Sequence, residues 1–326
     1  MSERGKRLLQ ALSRLILQLC LVVLLAWALL AMSPLDPING YLGGNLFGLS
    51  VEQRAQLVHR LGLDQSVATR LWQWFSALLQ GNWGFSNLYR QPVAEVIRQR
   101  LPVSLLLLGL SWLVSLLLGY LLGLYAALKQ HRWQDRLLRR LAWMLAAIPS
   151  FWLGMIFISV FAVGLHWLPV CCAAPIGVMF SEQTFWQFIR HFTLPVLTLS
   201  LVHMAPVLLH TREKVLDVLA SDYVAYSRQH GDSDGTIIRF HVIKNSLLPA
   251  VVLQFGSVAE LFGGSLLAET LFAFPGLGQA LVKAALAQDT ALLMGGTLIS
   301  ALLVFAGNAM ANILSETLMP GRRSQQ

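Results

Sequence analysis

The sequence predicts an all-α polytopic membrane protein with six transmembrane helices and with both termini in the cytoplasm. Of its 326 residues, 56% are hydrophobic and only 12% are charged, about half the charged fraction of a typical soluble domain. Several apolar runs reach the roughly 20 residues that a helix needs to cross a bilayer. The basic residues lie between these runs, as in polytopic membrane proteins, and are not gathered on a soluble domain. The net charge of +8 therefore does not indicate nucleic-acid binding.

Six apolar segments are predicted to span the membrane: 12–32, 102–128, 141–168, 192–210, 247–268 and 291–314. The fourth and fifth are the least uniform, because His203, Pro206 and Glu260 interrupt them. Pro149 removes a backbone donor from the third and favours a kink there. In the second, the Gly119-x-x-x-Gly123 spacing favours close approach of another helix.

The first segment has an alternative interpretation as a cleaved signal peptide. Arg4, Lys6 and Arg7 form a basic start, and Ala26-Trp27-Ala28 resembles a cleavage site. That triplet lies inside the apolar run, whereas a cleavage site follows the run. An uncleaved first helix is the favoured interpretation.

The distribution of Lys and Arg predicts the orientation in the membrane. With the amino terminus inside, the inner segments 1–14, 129–140, 211–245 and 315–326 hold 16 of the 24 basic residues. The chain is then predicted to divide into an amino-terminal segment with the first helix (1–32), an extracytoplasmic segment (33–101), a membrane-embedded core (102–314) and a cytoplasmic tail (315–326). Within 33–101, the amphipathic run 66–80 predicts a helix at the membrane interface or in a small packed cap.

A polar island interrupts the apolar sequence at 221–249, SDYVAYSRQHGDSDGTIIRFHVIKNSLLP. Ser221 suits a helix N-cap, and residues 222–230 predict a short helix. Gly231 is well placed to end that helix in a left-handed conformation. Asp232 or Ser233 can then cap a second helix that returns to the membrane. An ordinary solvated loop is the alternative, but such loops are usually shorter.

The island and other segments together resemble the permeases of ABC importers, specifically the B-type subunit of the dipeptide, oligopeptide and nickel group. The island resembles the EAA loop of that family through Asp222-Tyr223-Val224, Arg228, Gly231 and Asn245-Ser246-Leu247-Leu248-Pro249. Further similar segments occur in the same order along nearly the whole chain: 61-LGLDQ-65, 81-GNWGFS-86, 92-PV-93, 100-RLPVS-104, 148-IPSFWLG-154, 194-LPVLTLSL-201 and 269-ETLFAFPGLG-278.

The island departs from the family pattern at four positions: Ser227, Gln229, His230 and Asp232. A Glu that is frequent in the second helix of the family is Leu106 here. The departures in the island put in question which ATPase the loop accepts, more than whether it docks.

The resemblance implies a type I importer fold and a cytoplasmic coupling loop, 211–246, that docks on an ATPase subunit. The residues that it places at the docking surface are Ser221, Asp222, Tyr223, Val224, Ala225, Tyr226, Ser227, Arg228, Gln229, His230, Gly231, Asn245 and Pro249. It also implies a paralogous permease as heterodimer partner, two ATPase subunits and an extracytoplasmic substrate-binding protein, in the inner membrane of a bacterium and in contact with its lipids. The sequence has no G-x-x-x-x-G-K-[ST] motif, so ATP and Mg²⁺ would be used by the partner ATPase, and we expect no cofactor in this chain.

Ionisable residues inside membrane helices are functional candidates by default. The candidates for the translocation pathway are His203, Glu260, Gly263, Gly264, Pro149 and Ser150. The segment 260-ELFGG-264 resembles nickel-type members, so the expected cargo is nickel, a metal chelate or a di- or oligopeptide. The alternative is that Glu260 pairs with His203 or a neighbouring helix to hold the bundle together.

His166, Cys171, Cys172 and Met179 could supply soft and imidazole ligands to a metal near the outer end of the third span. Adjacent cysteines are poorly placed to chelate one ion, so no metal site is assigned. Three cysteines also exclude a disulfide framework.

Two other function classes remain open from the residues alone. A stand-alone secondary transporter or channel would use His203 and Glu260 for a coupling ion. A membrane-embedded enzyme would need an acid–base or metal constellation, and the sequence contains no H-E-x-x-H. Its one match to G-x-S-x-G, 231-GDSDG-235, lies between two predicted helices and does not follow a strand, as a catalytic serine of that motif does.

Overall fold

A computed structural model describes residues 3–33, 38, 50–60, 64–178 and 180–318, and regular structure there is helical apart from one short hairpin. The elements in chain order are α1 (Glu3–Ala31), α2 (Val51–Arg60), α3 (Val67–Leu79), β1 (Phe85–Ser86), β2 (Gln91–Pro92), α4 (Val93–Leu128), α5 (Trp133–Ala147), α6 (Ser150–Phe157), a first π-helix (Ile158–Gly164), α7 (Phe185–Leu219), α8 (Asp222–Gln229), α9 (Asp234–Ile237), a second π-helix (Ile238–Val242), α10 (Ile243–Gly256), α11 (Val258–Leu271), α12 (Leu277–Leu286) and α13 (Thr290–Leu318). The strands β1 and β2 pair antiparallel, with Phe85 opposite Pro92.

The predicted membrane class is confirmed by the length and composition of these helices. Within the described part of the chain, five stretches are long and apolar enough to cross a bilayer: Ser13–Ala31, Val93–Leu128, Phe185–Leu219, Asp234–Gly256 and Thr290–Glu316. A sixth appears only if the pair Trp133–Ala147 and Ser150–Gly164 counts as one broken span.

The predicted third span, 141–168, is not one continuous helix. Its two halves meet at Pro149 with a bend of 104°, far more than the kink expected. Pro149 has extended backbone angles (φ −62°, ψ 134°) and is the N-cap of α6, so its missing N–H coincides with a helix start.

The predicted fifth span, 247–268, is also wrong as a single helix. It is divided at Ser257, where α10 ends and α11 begins. The Ser257 hydroxyl donates to the carbonyl oxygen of Gln254, a local bond of the kind that competes with helical geometry. The apolar stretch that is long enough to span begins earlier, at Asp234.

The chain forms two compact units, 1–104 with 275–305 and 105–274 with 306–326. In the first unit, the packed core includes Val93, Val96, Leu277 and Leu292. Asp289 stabilises the hairpin side of this core, because its Oδ2 accepts hydrogen bonds from the Ser86 hydroxyl (2.6 Å) and the Leu88 amide (3.0 Å). The predicted amphipathic helix is confirmed as α3, with Ser66 as N-cap accepting from the Thr69 amide.

In the second unit, α4 lies against α7 at the two glycines that the sequence singled out. A Cβ added to Gly119 would lie 2.8 Å from the carbonyl oxygen of Met204, and one added to Gly123 would lie 2.6 Å from that of Leu208. Such distances leave no room for a side chain, so the predicted close approach is confirmed.

Polar bonds fix α4 against α10 in the same unit. The Gln254 amide donates to the Ser115 hydroxyl (2.6 Å) and to the Trp112 carbonyl, whose indole N–H donates back to the Gln254 carbonyl. One turn from the other end of α10, the hydroxyls of Tyr120 and Ser246 lie 3.0 Å apart. α10 is therefore held in register with α4 at both of its ends.

Candidate functional site

The polar island folds as two short helices around a tight turn, as predicted. Ser221 is the N-cap residue of α8, which ends at Gln229, one residue earlier than expected. Ser233 caps α9 by accepting from the Thr236 amide (3.3 Å). The chain then continues through the second π-helix into α10, toward Pro249 within that helix.

The predicted left-handed conformation of Gly231 at the end of the first island helix is confirmed. Its φ of +89° is left-handed, a conformation that costs glycine nothing. The Gly231 amide donates to the carbonyl of Arg228, and the Asp232 amide donates to that of Ser227. This pair of bonds is a Schellman motif, which satisfies the last carbonyls of α8 and fixes the direction in which the chain leaves the helix.

Ser221 occupies the predicted N-cap position but does not cap α8 with its side chain. Its backbone has the extended angles of an N-cap, but its hydroxyl donates backward to the carbonyl of Val218 and caps no amide of α8. The hydroxyl thereby ties the start of α8 to the end of α7. A serine at such a junction can form either bond, and the sequence alone does not choose between them.

One face of α8 is buried in the second unit. Val224 is fully buried in a cluster with Ala127 of α4, Val215 and Val218 of α7, and Ile237 and Val242 from the return path. Burying a valine side chain contributes about 1.5 kcal/mol or more relative to leaving it in water. The apolar cluster therefore joins α8 to the ends of the two longest helices.

The opposite face of α8 is exposed and aromatic. Tyr223 is 45% exposed and Tyr226 62% exposed, and Asp222, Ala225, Arg228, Gln229 and His230 are exposed with them. The His230 ring lies against that of Tyr226 with centroids 3.9 Å apart, and its Nδ1 donates to the Tyr226 carbonyl (3.0 Å). The Tyr223 ring lies near His241, which fixes its position on the same surface. Asn245 is exposed on α10 and donates to the carbonyl of His241.

Two of the four departures from the family pattern bond to each other. The hydroxyl of Ser227, which is buried, donates to the Asp232 carboxylate across the Gly231 turn. Ser227 also lies 3.5 Å from Nε2 of His241. Ser227 therefore faces the interior, while Gln229 and His230 face outward.

Sequence reasoning missed an ion-pair cluster around Asp135 in the second unit. Asp135 is fully buried and accepts two bonds from Arg212 of α7 (2.6 and 2.9 Å). It accepts a third from Arg139 (3.2 Å) and a longer one from the amide of His131. The sequence did contain a signal for this cluster. Asp135 is the sole acidic residue in 129–140, a segment with five basic residues.

The candidate pathway residues do not form one cluster. His203 is buried and its Nδ1 donates to the Leu199 carbonyl (2.8 Å), while Glu260 is exposed on α11. No ion pair joins Glu260 to another residue of the described chain, so the proposed pairing with His203 is wrong. Gly263 lies on the same exposed face of α11 as Glu260.

Of the adjacent glycines Gly263 and Gly264, only Gly264 lies close to other elements of the described chain. A Cβ there would lie 3.3 Å from Cε1 of His203 and 3.7 Å from the hydroxyl of Ser150, whereas one at Gly263 would meet nothing within 4 Å. Gly264 therefore lets α11 pack against α7 near His203 and the start of α6.

The described cysteines form one disulfide, which is not the framework of several bridges that the sequence excluded. Cys171 and Cys172 are joined by a disulfide, so neither sulfur is a free thiolate for a metal. The His191 ring donates to both of their backbone carbonyls (3.2 and 2.9 Å). No group of three His, Cys, Asp or Glu suited to a metal occurs in the described residues, where His166 is included; Met179 lies outside them.

Comparison with known proteins gives consistent results. The profile described as "Binding-protein-dependent transport system inner membrane component" matches residues 119–324. The chain is 30% identical to the oligopeptide transport system permease protein AppB of Bacillus subtilis, over 92% of this chain and 93% of that one. It is 31% identical to a putative peptide transport system permease protein of Brucella abortus, over 95% of each chain. With the glutathione transport system permease protein GsiC of Escherichia coli K12, the identity is 32% over 95% of this chain and 96% of that one.

Proposed function

The chain belongs to the family of binding-protein-dependent transport system inner membrane components, and from this membership we propose that the exposed face of α8 docks on a cytoplasmic ATPase. As an ABC importer permease of the peptide and oligopeptide group, it is a bacterial inner-membrane transport component. In this proposal, α8 transmits the movement that ATP binding causes in the ATPase to the membrane helices of this chain.

The observation that carries this proposal is the contrast between the two faces of α8. The inner face is anchored by Val224, and the turn at Gly231 is closed by backbone bonds, so the helix is held in one orientation. The outer face presents Tyr223 and Tyr226, and tyrosine is enriched at the energetic centres of protein interfaces. A rigid helix with an exposed aromatic face is suited to binding a preformed groove.

The helix α7 offers a path for transmission. It has 35 residues, so it extends about 50 Å at 1.5 Å per residue. The cluster around Val224 and the Asp135–Arg212 pair both involve its carboxyl-terminal part, next to α8. A displacement of α8 would therefore shift a packed helix that runs through the second unit, and two distant sites can then bias one conformational equilibrium.

The remaining parts of the transporter are separate chains in this proposal. Two ATPase subunits bind and hydrolyse ATP with Mg²⁺, a paralogous permease completes the pathway, and an extracytoplasmic binding protein delivers the cargo. The absence of a phosphate-binding G-x-x-x-x-G-K-[ST] sequence supports an external energy source. A stand-alone secondary transporter is less well supported, because His203 and Glu260 form no ion pair in the described chain.

We propose small peptides as the cargo, in keeping with what the names of the three relatives say of those proteins. Glu260 supports this choice, because an exposed carboxylate beside the open position of Gly263 can bind the ammonium group at the start of a peptide. Nickel or a metal chelate is the alternative cargo.

Uptake measurements separate these cargos. In cells that lack the chromosomal gene and express the chain from a plasmid, we expect uptake of a labelled dipeptide that excess unlabelled dipeptide blocks and excess Ni²⁺ does not. Labelled Ni²⁺ entering in its place would contradict the peptide assignment.

A Glu260→Gln variant tests the role of the carboxylate on α11. We expect uptake to fall about tenfold, equivalent to one lost charge-assisted hydrogen bond, with the amount of protein in the membrane unchanged. Glu52→Gln, at an exposed glutamate of α2, is the matched control and should transport normally. Normal uptake by Glu260→Gln would remove Glu260 from the pathway.

A further inference from the structure

Three of the candidate pathway residues meet at one place in the second unit. A Cβ built on Gly264 of α11 would lie 3.3 Å from Cε1 of His203 on α7 and 3.7 Å from the hydroxyl oxygen of Ser150 on α6. The side chains of His203 and Ser150 therefore border the same small volume beside Gly264. The function proposed above assigns a role to none of these three residues.

His203 offers a hydrogen-bond acceptor to this volume. Its Nδ1 lies 2.8 Å from the carbonyl oxygen of Leu199, which can only accept, so Nδ1 carries the hydrogen and Nε2 of the neutral ring is an acceptor. The residue is only 8% exposed, and within the described chain Nε2 is accessible but has no hydrogen-bond partner. A buried acceptor without a partner is costly, so a donor from outside the chain would stabilise it.

The start of α6 offers donors to the same volume. The amides of Trp152 and Leu153 donate to the Pro149 carbonyl. The amides of Ser150 and Phe151 precede them, at the end of a helix where N–H groups have no partner within it. That end is the positive pole of the helix dipole and attracts carbonyl and carboxylate oxygens. The Ser150 hydroxyl has no hydrogen-bond partner among the described residues and adds a further donor.

Both sets of groups lie where a pathway through the membrane would pass. His203 is near the middle of α7, whose 35 residues include a stretch long enough to span the bilayer. The start of α6 is the point where the third apolar segment bends by 104°. Backbone that leaves the helical path at membrane depth is stable only where it is buried in protein or lines a water-filled cavity. Ser150 is half-exposed, which favours the cavity.

The arrangement of acceptor and donors matches the backbone of a peptide. A residue in an extended peptide presents its own N–H and its own carbonyl to the same side, as the residues of a hydrogen-bonded pair in an antiparallel sheet do. His203 supplies an acceptor for the N–H, and Ser150 with the start of α6 supplies donors for the oxygen. Neither contact involves a side chain of the peptide, so the site suits peptides of different sequence.

Glu260 gives the peptide a direction. It precedes Gly264 by four residues on α11, and residues four apart are neighbours on the surface of a helix. An ammonium group bound by Glu260 would be followed along the peptide by the N–H at His203. In a dipeptide, the terminal carboxylate would then face Ser150.

We propose that His203 and Ser150 form a binding site for the backbone of the transported peptide. Nε2 of His203 accepts a hydrogen bond from the peptide N–H. The Ser150 hydroxyl and the first amides of α6 donate to the carboxylate. This inference rests on the proposed peptide cargo and adds the contacts by which the permease holds that cargo.

An ester analogue of the cargo tests the contact at His203. The peptide N–H of a labelled dipeptide is replaced by an ester oxygen, which cannot donate, and uptake of both compounds is measured at concentrations that saturate the binding protein. We expect the unaltered chain to import the ester about tenfold more slowly, the effect of one lost hydrogen bond to a buried acceptor. In His203→Met, which removes the acceptor, the two rates should be equal. The ratio of the rates does not depend on how much folded protein the membrane contains.

Three further variants make the test specific. His203→Gln keeps an acceptor oxygen and should keep part of the preference for the dipeptide. His210→Met, the same substitution at another histidine of α7, should keep the full preference. Ser150→Ala removes a donor to the carboxylate, which both compounds carry, so it should lower both rates and leave their ratio unchanged.

Three results would overturn the proposal. Equal import of the two compounds by the unaltered chain, or a tenfold preference that persists in His203→Met, would show that His203 does not bind the peptide N–H. Loss of the paralogous permease from the purified complex of His203→Met would show that His203 holds the two permeases together. Import of neither compound by the unaltered chain would refute the peptide cargo itself, and this site with it, so the two failures are distinguishable.

Discussion

Gly231 sets the place where α8 ends and the angle at which the chain returns to the membrane. Its left-handed φ of +89° is a backbone requirement, and nothing lies within 4 Å of the position where a Cβ would stand. Any cost of a side chain there is therefore conformational and not steric. Ser227 and Asp232 add a hydrogen bond across the same turn, so two positions that depart from the family pattern support each other.

Alanine at Gly231 should loosen this turn without a clash. The left-handed conformation costs a residue with a Cβ about 1–2 kcal/mol, so Gly231→Ala should increase hydrogen exchange at the Gly231 and Asp232 amides about tenfold. Gly235→Ala, within α9 and without a positive φ, is the control and should slow exchange or leave it unchanged. Equal exchange in the two variants would contradict the assigned role of Gly231.

The sequence predicted the Gly231 turn because the signal is local. A glycine that follows a short polar helix commonly ends that helix in a left-handed conformation. All the hydrogen bonds of this motif join residues that are close in the sequence. The bond made by Ser221 could not be predicted in the same way, since a serine hydroxyl can cap the helix ahead of it or bond to the carbonyl behind it.

Helices in the second unit are matched to one another by small residues and a buried ion pair. α4 approaches α7 at Gly119 and Gly123. Arg212, also on α7, forms an ion pair with Asp135 of α5. The glycine spacing was readable because both residues lie on one helix. The ion pair could not be predicted from the sequence, because Asp135 and Arg212 are 77 residues apart. The residues around either one do not indicate that the other is its partner.

A side chain at Gly123 should disturb the α4–α7 contact. An alanine Cβ would lie 2.6 Å from a backbone oxygen, which cannot move aside as a flexible side chain can. We expect Gly123→Ala to destabilise the protein by about 1–3 kcal/mol, measured as a lower Tm in detergent. Gly109→Ala in the same helix meets nothing within 4 Å and should not lower the Tm. Equal Tm values for both variants would refute the close approach.

Removing the charge of Asp135 should be costly because Arg212 is itself only 13% exposed. Asp135→Asn leaves that guanidinium without its carboxylate partner, so we expect a loss of about 3 kcal/mol and a lower yield of folded protein in the membrane. Glu95→Gln breaks the exposed pair with Arg98 and should leave the yield unchanged, since exposed pairs contribute little. Normal yield of Asp135→Asn would show that Arg212 is solvated without Asp135.

At the scale of the whole molecule, composition and the placement of charged residues were enough to predict a polytopic membrane protein. The sequence motifs were enough to predict the family of ABC importer permeases. The helix breaks at Pro149 and Ser257 were only partly predictable, because hydropathy reports where a chain is apolar and not where a helix ends. Surfaces could be assigned only with the structure in hand. Val224 and Ser227 belong to the same short helix as Tyr226 but face inward, so they support the proposed docking surface without forming part of it.

Co-purification of the ATPase with the tagged chain tests the central claim most directly. Tyr226→Arg replaces the most exposed aromatic ring of α8. Loss of a residue at the centre of an interface costs about 2 kcal/mol of binding free energy, so the recovered ATPase should fall about 30-fold and uptake should be abolished. Phe85→Arg changes an exposed aromatic residue in the hairpin of the first unit and should recover the ATPase normally. Full recovery of the ATPase and unchanged uptake with Tyr226→Arg would contradict docking through α8.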